Sequence, residues 1–522
     1  MLKLRESSLD WALAHVLRYG DTDVLPVPFE FVAIQHDWRA VREFCSSGDI
    51  LEWSVRPHRA LLAPKTGYGF RVVTQLDPLD FLIFAALIRE IAGDIETRRV
   101  PIARQTVYSY RVKPSRDGQL FDPDVRYDDF RRRAGSLLRR HKDFTHVAVA
   151  DIADFYPRIY HHRLENALNA STSRGNHVIA LMNLLSEWNG TESFGIPVGN
   201  QPSRLLAEAA LIDVDEALLA AEVTFIRFND DYRIFAGDHA EAYRHLAFLA
   251  DVLYKNHGLS LQPQKTTVLT RGQFRARYLT SPEQREIDSL REKFREFADE
   301  LGLSDSYEEI EYDDLSAEQR AFVDSLNLRE IFLEEAMSQN PDPTVISFVL
   351  GRMSQLGDSS VPDEVIDRLD RLYPVFPQIV AYLKNLRNLD DDEYKRIGGR
   401  LLEALEGSIV SELEYHRMWG LDLFSSSTRW NHADRFFRML GEVRDSVSRR
   451  KLILAMGRAH HRHWFQTQWR NLFNEAPWPK RALIAAASCL PPDARKHWYK
   501  SIESRLDPLE TAVMKWAKAH PF

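Results

Sequence analysis

Acidic residues that follow apolar, strand-like runs constrain the fold of this chain more than any other feature. Asp151 directly follows the run THVAVA, and the pair Asp230-Asp231 stands between the runs VTFIRF and DYRIF. A carboxylate at the end of a buried strand is costly unless it is paired or binds a metal ion. The pattern therefore predicts buried strands that end in acidic side chains, with the acidic pair in the turn of a hairpin.

Two carboxylates in one tight turn repel each other, and a divalent cation would remove that cost. Mg²⁺ favours one or two carboxylates together with substrate phosphates. Two such ions, held by aspartates from separate strands, would clamp the attacking and leaving oxygens of a phosphoryl transfer. An acidic pair in a hairpin is also common in ordinary solvated turns, so the surrounding motifs decide between the two interpretations.

The pattern of secondary structure changes once along the chain. Strand-like and helix-like stretches are mixed over residues 1–280, which predicts an α+β domain. Residues 281–318 read as an acidic helical linker. Over residues 319–522 helical stretches follow one another with Pro, Asp or Gly in the gaps, which is typical of stacked helical repeats. An irregular helical bundle remains the alternative for this last part.

Composition excludes several classes of protein. The 522 residues are 44% hydrophobic and 28% charged, which excludes a disordered or collagenous chain. The two cysteines, Cys45 and Cys489, cannot build a disulfide framework or a cysteine-based zinc site, and they indicate a cytoplasmic location. Apolar runs are too short or too charged for a membrane helix, so we expect no membrane association.

Charge is distributed unevenly around a net value of −8. Residues 98–142 contain 13 Arg or Lys against 5 Asp or Glu, whereas residues 281–318 contain 4 against 14. The basic run 131–142 directly precedes the first apolar strand. We interpret it as a channel for a product strand or a nucleotide, with a solvated face as the alternative.

Further motifs surround the acidic positions. The loop GIPVGNQPS, residues 195–203, opens onto a long helix with Ser203 placed as N-cap, and its glycines would let backbone approach a nucleotide closely. Lys65 and Arg71 are six positions apart on a predicted hairpin and are suited to hold a triphosphate. Lys265 adds another cation downstream.

In this order, the motifs resemble the fingers and palm motifs of reverse transcriptases, from about residue 60 to residue 270. The resemblance implies an α+β fold, with a reverse-transcriptase-like fingers–palm domain followed by an all-α, HEAT-like helical-repeat domain. It implies that Asp151 and Asp230 are the shared metal ligands and that Asp231 is a supporting acid. The activity implied is that of a nucleotidyltransferase.

The resemblance also assigns residues to the nucleotide. Tyr156, five positions after Asp151, matches the aromatic gate against a 2′-hydroxyl, which implies dNTP substrates. Val198 and Phe228 stand where this family usually has Gln and Tyr, so templated synthesis is less certain than nucleotide transfer. The nucleotide-binding residues that the resemblance implies are Lys65, Arg71, Tyr156, Gly199 and Lys265.

The opening segment, from Tyr19 to Glu30, is similar to one in the abortive-infection and unknown-group bacterial reverse transcriptases, which defend against phage. Members of this group make DNA without a template, starting from a protein tyrosine. The resemblance therefore implies a phage-triggered homo-oligomer that uses dNTPs and two Mg²⁺ ions, with Mn²⁺ as an alternative, and carries its single-stranded DNA product covalently. Tyr19, Tyr108 and Tyr110 are the candidate priming residues.

The parts that would hold a duplex look weak in the sequence. The run FRARYL, residues 274–279, lacks the Leu-Gly of the primer-grip motif, and an acidic stretch stands where a basic thumb is expected. Two alternatives stay open. One is a templated reverse transcriptase that copies a dedicated RNA. The other is a helical array that acts as sensor and effector, with polymerisation as its regulator.

Overall fold

The computed structural model describes residues 1–65, 69–190, 192–279 and 327–522, and the predicted acidic linker, 281–318, lies outside them. The part before residue 280 combines helices with a hairpin and a four-stranded sheet. Its elements are α1 (Glu6–Tyr19), α2 (Glu30–His36), α3 (Trp38–Ser47), β1 (Arg59–Pro64), β2 (Phe70–Gln75), α4 (Pro78–Arg98), α5 (Tyr127–Arg140), β3 (His146–Asp151), α6 (Phe155–Arg158), α7 (His161–Ser171), α8 (Gly175–Asn189), α9 (Gln201–Ala210), α10 (Ile212–Ala220), β4 (Thr224–Phe228), β5 (Asp231–Ala236), α11 (His239–His257), β6 (Thr267–Thr270) and α12 (Arg271–Phe274).

The part from residue 327 onward, called the helical array below, is built of α-helices joined by short 3₁₀ turns. The helices are α13 (Leu328–Met337), α14 (Pro343–Leu356), α15 (Pro362–Ile366), α16 (Leu369–Leu372), α17 (Phe376–Lys384), α18 (Asp391–Gly407), α19 (Glu414–Ser426), α20 (Ala433–Glu442), α21 (Ser446–Arg458), α22 (Arg462–Phe465), α23 (Pro477–Ala486), α24 (Pro492–Lys500) and α25 (Pro508–Ala519).

The four-stranded sheet has the order β4-β5-β3-β6, and all its neighbouring strands are antiparallel. Both faces of the sheet are covered, which explains why its central strands read as nearly continuous apolar runs. Ala148 and Ile234 pack into the core on one face, while Val147 and Phe235 pack against α5 residues on the other. The predicted hairpin of two apolar strands, with the acidic pair at its turn, is confirmed.

Strands β1 and β2 form a separate antiparallel hairpin, as the sequence predicted for Lys65 and Arg71. Alternate residues point to opposite faces of a strand. One face carries Leu61, Ala63 and Val73, which are buried, and the other carries Leu62 and Val72, which are about half exposed. The buried face packs against the helical array, and the set that it contacts there is Tyr415, Met418 and Val447.

The helical array has a regular order. Helices α14, α17, α19, α21, α23 and α25 form a row in which each packs against the next one in the sequence. Shorter helices and 3₁₀ turns connect the members of this row. The fold is therefore α+β with an all-α C-terminal region, as predicted.

The array closes back on the start of the chain. Helix α25 packs against α2 and α3, and α19 packs against β1. Ala33 belongs to the core of the array, while Leu509 and Ala512 belong to the core of the N-terminal part. No helix of the described residues combines the length and the hydrophobicity that crossing a bilayer requires.

Candidate active site

The β4–β5 turn and the end of β3 bring the acidic residues together. Asp231 is the cross-strand partner of Asp151, and Asp230 precedes it in the turn. The backbone nitrogen of Ile152 donates a hydrogen bond to the Asp230 carbonyl oxygen at 3.2 Å, which ties the turn to the end of β3. Two sequence-predicted positions 79 residues apart thus lie side by side at one end of the sheet.

The electrostatics of Asp230 are those of a crowded carboxylate. Burial, followed by the negative charges of Asp151 and Asp231, raises the pKa of Asp230 to about 7. Lys265 offsets part of this repulsion, and its Nζ lies 3.2 Å from Asp151 Oδ2. Asn229 Nδ2 also donates a hydrogen bond to Asp230 Oδ1 at 2.9 Å. One lysine faces several carboxylates, so a bound cation would lower the energy of this arrangement.

The donor set fits a metal ion that is shared with a substrate. Asp231 is paired with Arg233 and Asp151 with Lys265, and both lie next to Asp230 at the same end of the sheet. Within the described ranges, no group of three or more His, Cys, Asp or Glu side chains is arranged as a metal site. Two carboxylates are nevertheless what Mg²⁺ uses when phosphates and water complete its shell. Asp151 and Asp230 are the residues that would hold it.

A buried ion network behind the turn escaped the sequence analysis. Arg227, in the middle of β4, is fully buried and contacts Asp215 of α10 at 2.6 Å and Glu208 of α9 at 3.0 Å. Its Nη1 also donates to the Asn229 carbonyl oxygen at 2.8 Å. Arg99 completes the network at 2.5 Å from Glu208. The sequence signal was the single Arg within an apolar strand, which must find partners when buried.

The cations of the β1–β2 hairpin lie where the sequence predicted them. Arg71 stands opposite Ala63 in the register, and Lys65 follows two positions later on the other strand. Lys65 Nζ lies 3.9 Å from Asp154 Oδ1, in the segment that follows Asp151. The end of the hairpin at Lys65 therefore lies beside the segment that follows Asp151. That either cation binds a triphosphate stays a prediction.

Tyr156 lies between the turn and α9. Burial raises its pKa well above the usual range, with Tyr110 as the next cause. The Tyr110 ring lies 5.8 Å from the Phe228 ring, and the Arg204 guanidinium lies 5.2 Å from the Tyr110 ring. Phe228 thus belongs to an aromatic cluster beside the catalytic turn. A fixed, partly buried Tyr156 is suited to the predicted role of a gate, which stays a prediction.

The glycine-rich loop differs in detail from the prediction. The N-cap of α9 is Asn200, not Ser203, because Asn200 Oδ1 accepts from the backbone nitrogen of Ser203 at 2.8 Å. Gly199 has φ +103°, and a Cβ there would lie 2.6 Å from Thr22 Oγ1. The Gly199 carbonyl oxygen also accepts a hydrogen bond from the backbone nitrogen of Asp23 at 2.8 Å. The structure gives Gly199 a packing role against the N-terminal segment, and nucleotide contact stays a prediction.

Two of the three candidate priming tyrosines are packed against other rings. Tyr108 is 7% exposed and belongs to a core cluster with Phe130. Tyr110 is half-buried and packs against Phe121 and Phe228. The segment has no helix or strand, as predicted, but the surroundings of both tyrosines are apolar rings rather than solvent. Tyr19, at the end of α1, is 36% exposed.

The basic run 131–142 divides between two ends of the sheet. Its second half, Arg139 to Lys142, is exposed and lies at the start of β3. Asp151 is at the other end of this strand, about 17 Å away at the rise of an extended chain. This half of the run is therefore separated from the carboxylates, and a product channel along it stays a prediction.

An antiparallel sheet with carboxylates at the end of one strand and in an adjoining turn is an arrangement that could hold metal ions for nucleotidyl transfer. Residues 105–304 match the family model described as reverse transcriptase (RNA-dependent DNA polymerase). The chain therefore contains a reverse transcriptase domain, which is a nucleotidyltransferase, and the β4–β5 turn lies within that domain.

Similar solved structures include Candida telomerases. The Candida albicans telomerase in complex with a TWJ fragment of telomeric RNA is 13% identical, with a TM-score of 0.29, over 69% of this chain and 64% of that chain. The apo telomerase from Candida tropicalis is 10% identical, with a TM-score of 0.31, over 72% and 71%. Such values carry no argument about mechanism. A search of curated proteins found no match.

Proposed function

We propose that this protein polymerises dNTPs into single-stranded DNA by two-metal catalysis at Asp151 and Asp230, with Asp231 in support. The observation that carries the proposal is the convergence of Asp151 and the half-buried Asp230 at one end of the sheet, with Lys265 Nζ 3.2 Å from Asp151 and Lys65 Nζ 3.9 Å from Asp154. Bound Mg²⁺ or Mn²⁺ would neutralise charge on the phosphates and on the attacking oxygen. Lys65, Arg71 and Lys265 would orient the triphosphate.

We further propose that synthesis uses no template. A template base must lie opposite the incoming nucleotide, and hence beside Lys65 and Arg71. The same hairpin face carries Leu61 and Val73, which are 4% and 0% exposed because residues of the chain itself cover them. The covering set is Leu25, Tyr415, Met418 and Val447. A template strand on this face would have to displace these contacts.

Protein priming in phage defence completes the proposal, and it rests on the resemblance to abortive-infection enzymes. A tyrosine Oη would attack the α-phosphorus of a dNTP, form a phosphodiester to the protein and release pyrophosphate. Tyr19 is the best exposed of the three candidates, while Tyr110 is the one whose ring contacts Phe228 beside the catalytic turn. A homo-oligomer responding to a phage trigger remains part of the proposal.

The test is synthesis from dNTPs and Mg²⁺ with no added nucleic acid, analysed on a denaturing gel before and after protease. We expect a product that enters the gel as a ladder only after proteolysis. Asp230→Asn should reduce it by a factor of about a thousand or more, since losing a metal ligand removes several kcal/mol of transition-state stabilisation. Asp251→Asn, at an exposed ion pair on α11, is the matched control.

Two results would contradict the proposal. A product made only after a primer–template or an RNA is added would favour the copying enzyme. Full synthesis by Asp230→Asn would remove the active-site assignment itself. Mass spectrometry of the protease-treated product identifies the priming tyrosine, and Tyr19→Phe and Tyr110→Phe then test it separately.

A further inference from the structure

An open cavity of about 390 Å³ lies beside the start of α7, away from the β1–β2 hairpin. Three separate segments line it: the α6–α7 junction, the residue before the glycine-rich loop, and the C-terminal end of α11. Its lining residues are Arg158, Tyr160, Arg163, Phe194, Lys255, Asn256, His257 and Gly258. Neither the catalytic turn nor the nucleotide-binding prediction includes any of these residues.

Two aromatic residues at this cavity have their backbones held together by a β-bridge. Tyr160 and Phe194 are partners in an antiparallel β-bridge, so their side chains leave the same face of it. Hydrogen bonds on both sides hold the bridge, from the His161 nitrogen to the Ser193 oxygen at 2.9 Å and from the Gly195 nitrogen to the Ile159 oxygen at 2.8 Å. Both rings are nevertheless exposed, at 43% for Tyr160 and 45% for Phe194.

Gly195 allows the chain to form this β-bridge. It adopts φ +96°, and a Cβ there would lie 3.3 Å from the Pro157 carbonyl oxygen. A larger residue would push the loop away from the α6–α7 junction and separate the two rings. The His161 ring adds a further tie, with Nε2 2.7 Å from the Gly195 carbonyl oxygen. The fold thus fixes the backbone of both residues while their rings are exposed to solvent.

The charged residues that line the cavity are all basic, while Asp251 and Asp213 lie behind it, paired with Lys255 and His257. Arg158, Arg163 and Lys255 line the cavity, and none of the lining residues is acidic. Lys255 is paired with Asp251 at 2.8 Å, but Arg158 and Arg163 are exposed and have no ion-pair partner among the described residues. Two exposed arginines beside two exposed aromatic rings suit a ligand with flat apolar surfaces and regularly spaced negative charges.

We propose that this cavity, formed by Arg158, Tyr160, Arg163 and Phe194, is a docking site for single-stranded nucleic acid. Bases would stack on the two rings, and phosphates would contact the arginines, which is how proteins bind single strands without reading their sequence. Tyr160 lies four positions after Tyr156, so the site adjoins the reacting centre along the chain. Identifying the strand as the enzyme's own product rests on the proposed function, whereas the binding site does not.

The test is the binding of fluorescently labelled (dT)12 to the full chain, followed by anisotropy without metal or dNTPs. Replacing both rings, in Tyr160→Ala with Phe194→Ala, should weaken binding about tenfold or more, because stacking contributes strongly per base. Tyr160→Trp with Phe194→Trp, which keep an aromatic ring at both positions, should retain the wild-type affinity, which a merely structural role would not predict. Tyr243→Ala, which removes an aromatic ring that is 63% exposed on α11, should leave binding unchanged.

The arginines have a separate readout. Arg163→Ala should reduce the slope of log affinity against log salt by about 0.7, the value for one phosphate contact on a single strand. Lys496→Ala, an exposed cation in the helical array, should leave the slope unchanged.

Three results would overturn the proposal. The first is wild-type affinity in the double ring variant, and the second is an unchanged slope in Arg163→Ala. The third is displacement of (dT)12 by dTMP at equal nucleotide concentration, which would indicate a mononucleotide pocket. Asp230→Asn should bind (dT)12 as tightly as the wild type. A failure of DNA synthesis is therefore distinguishable from a failure of this site.

Discussion

At the scale of single residues, Asp230 combines a functional position with an energetic cost. Its carboxylate is half-buried next to two others, and its pKa is raised to about 7, first by desolvation and then by Asp151. The unfolded chain holds the same group at about 3.9. The folded state therefore binds the proton more tightly. In the metal-free protein, this residue favours folding at low pH and opposes it once ionised.

This cost predicts a pH dependence of stability in EDTA. The contribution of Asp230 is fully present below about pH 4 and is lost as the pH rises through about 7, because the folded state binds more protons in that window. Asp230→Asn removes this titration. We expect the variant to melt several degrees above the wild type at pH 8 and the difference to shrink towards pH 4. Differential scanning calorimetry across this range measures it.

Comparing the wild type with Asp230→Asn at each pH cancels the contributions of other buried acids whose pKa values are also raised to about 7, such as Asp21 and Asp80. A melting temperature for Asp230→Asn that lies below the wild type at pH 8 would show that the carboxylate is not under repulsion. Added Mg²⁺ should raise the melting temperature of the wild type and leave that of Asp230→Asn nearly unchanged, because only the wild type has both proposed metal ligands.

The proposed role of Tyr156 predicts that it selects deoxyribonucleotides over ribonucleotides. A large side chain held beside the nucleotide excludes a 2′-hydroxyl by contact, and removing the ring opens that space. Tyr156→Ala should therefore incorporate ribonucleotides at least tenfold better relative to deoxyribonucleotides than the wild type does. Incorporation of labelled CTP against dCTP measures the ratio, with Tyr243→Ala, at an exposed ring on α11, as the control. An unchanged ratio would remove Tyr156 from the gate.

At the scale of elements, the β4–β5 hairpin is held from behind by Arg227. Burial alone would lower the pKa of this guanidinium, but Asp215 and Glu208 outweigh it and raise the pKa well above the usual range. Its bond to the Asn229 carbonyl oxygen fixes a residue with φ +53°, one position before Asp230. Arg227 is thus a positioning residue that connects two helices to the catalytic turn.

Arg227→Met should destabilise the fold by about 3–5 kcal/mol, because two buried carboxylates lose their cation. Urea unfolding of the full chain measures this loss. DNA synthesis should fall even at temperatures where the variant is folded, since the turn loses its anchor. Arg132→Met, in an exposed ion pair of α5, should change stability by less than about 0.5 kcal/mol. Equal stabilities of the two variants would contradict this account.

The same hairpin illustrates what can be predicted from a sequence. Its strands and turn follow from local apolar runs and an acidic pair, so they were predicted in place. The partners of Arg227 could not be predicted, because Glu208 and Asp215 lie on helices whose sequence looks ordinary. Only the packing of α9 and α10 behind β4 brings them together. The burial of Tyr108 could not be predicted either, since the Phe130 ring that packs against it comes from α5.

At the scale of the whole molecule, a buried cluster of ions joins the N-terminal part to the helical array. Glu30 is fully buried and accepts from Arg450 at 2.6 Å and from Arg481 at 2.9 Å, across 420 and 451 residues. Arg481 also lies 2.9 Å from Asp77, which caps α4. Arg59 stacks on Trp478 of the array at 3.7 Å. No local pattern indicates such pairs.

This cluster of ions lies at the start of the β1–β2 hairpin, which carries the cations proposed to bind the triphosphate. Arg59 begins β1, whose other end carries Lys65, and the array covers the face of this hairpin. The hairpin cations are therefore placed by contacts that the helical array supplies. We infer that a substitution in this cluster would lower the stability of the chain and weaken the proposed binding of the triphosphate.

Glu30→Gln tests this coupling. Burial alone would raise the pKa of Glu30, but Arg450 and Arg481 outweigh it and lower the pKa to about 2. The ionised group therefore stabilises the fold above about pH 4.5, and this contribution is lost as the pH falls towards 2. At pH 7 the variant leaves two guanidiniums without their shared carboxylate. We expect a loss of about 3–5 kcal/mol and a raised KM for dNTPs.

Calorimetry and steady-state incorporation measure the two effects, and Glu6→Gln, at an exposed ion pair with Arg42, is the control. Replacing both members, in Glu30→Met with Arg450→Met, should recover part of the stability, because an apolar pair of similar volume leaves fewer charges buried. A Glu30→Gln protein with wild-type melting and wild-type KM would mean that the array neither stabilises the N-terminal part through this cluster nor places the hairpin. A variant that loses stability but keeps its KM would separate the two roles and confine the array to support.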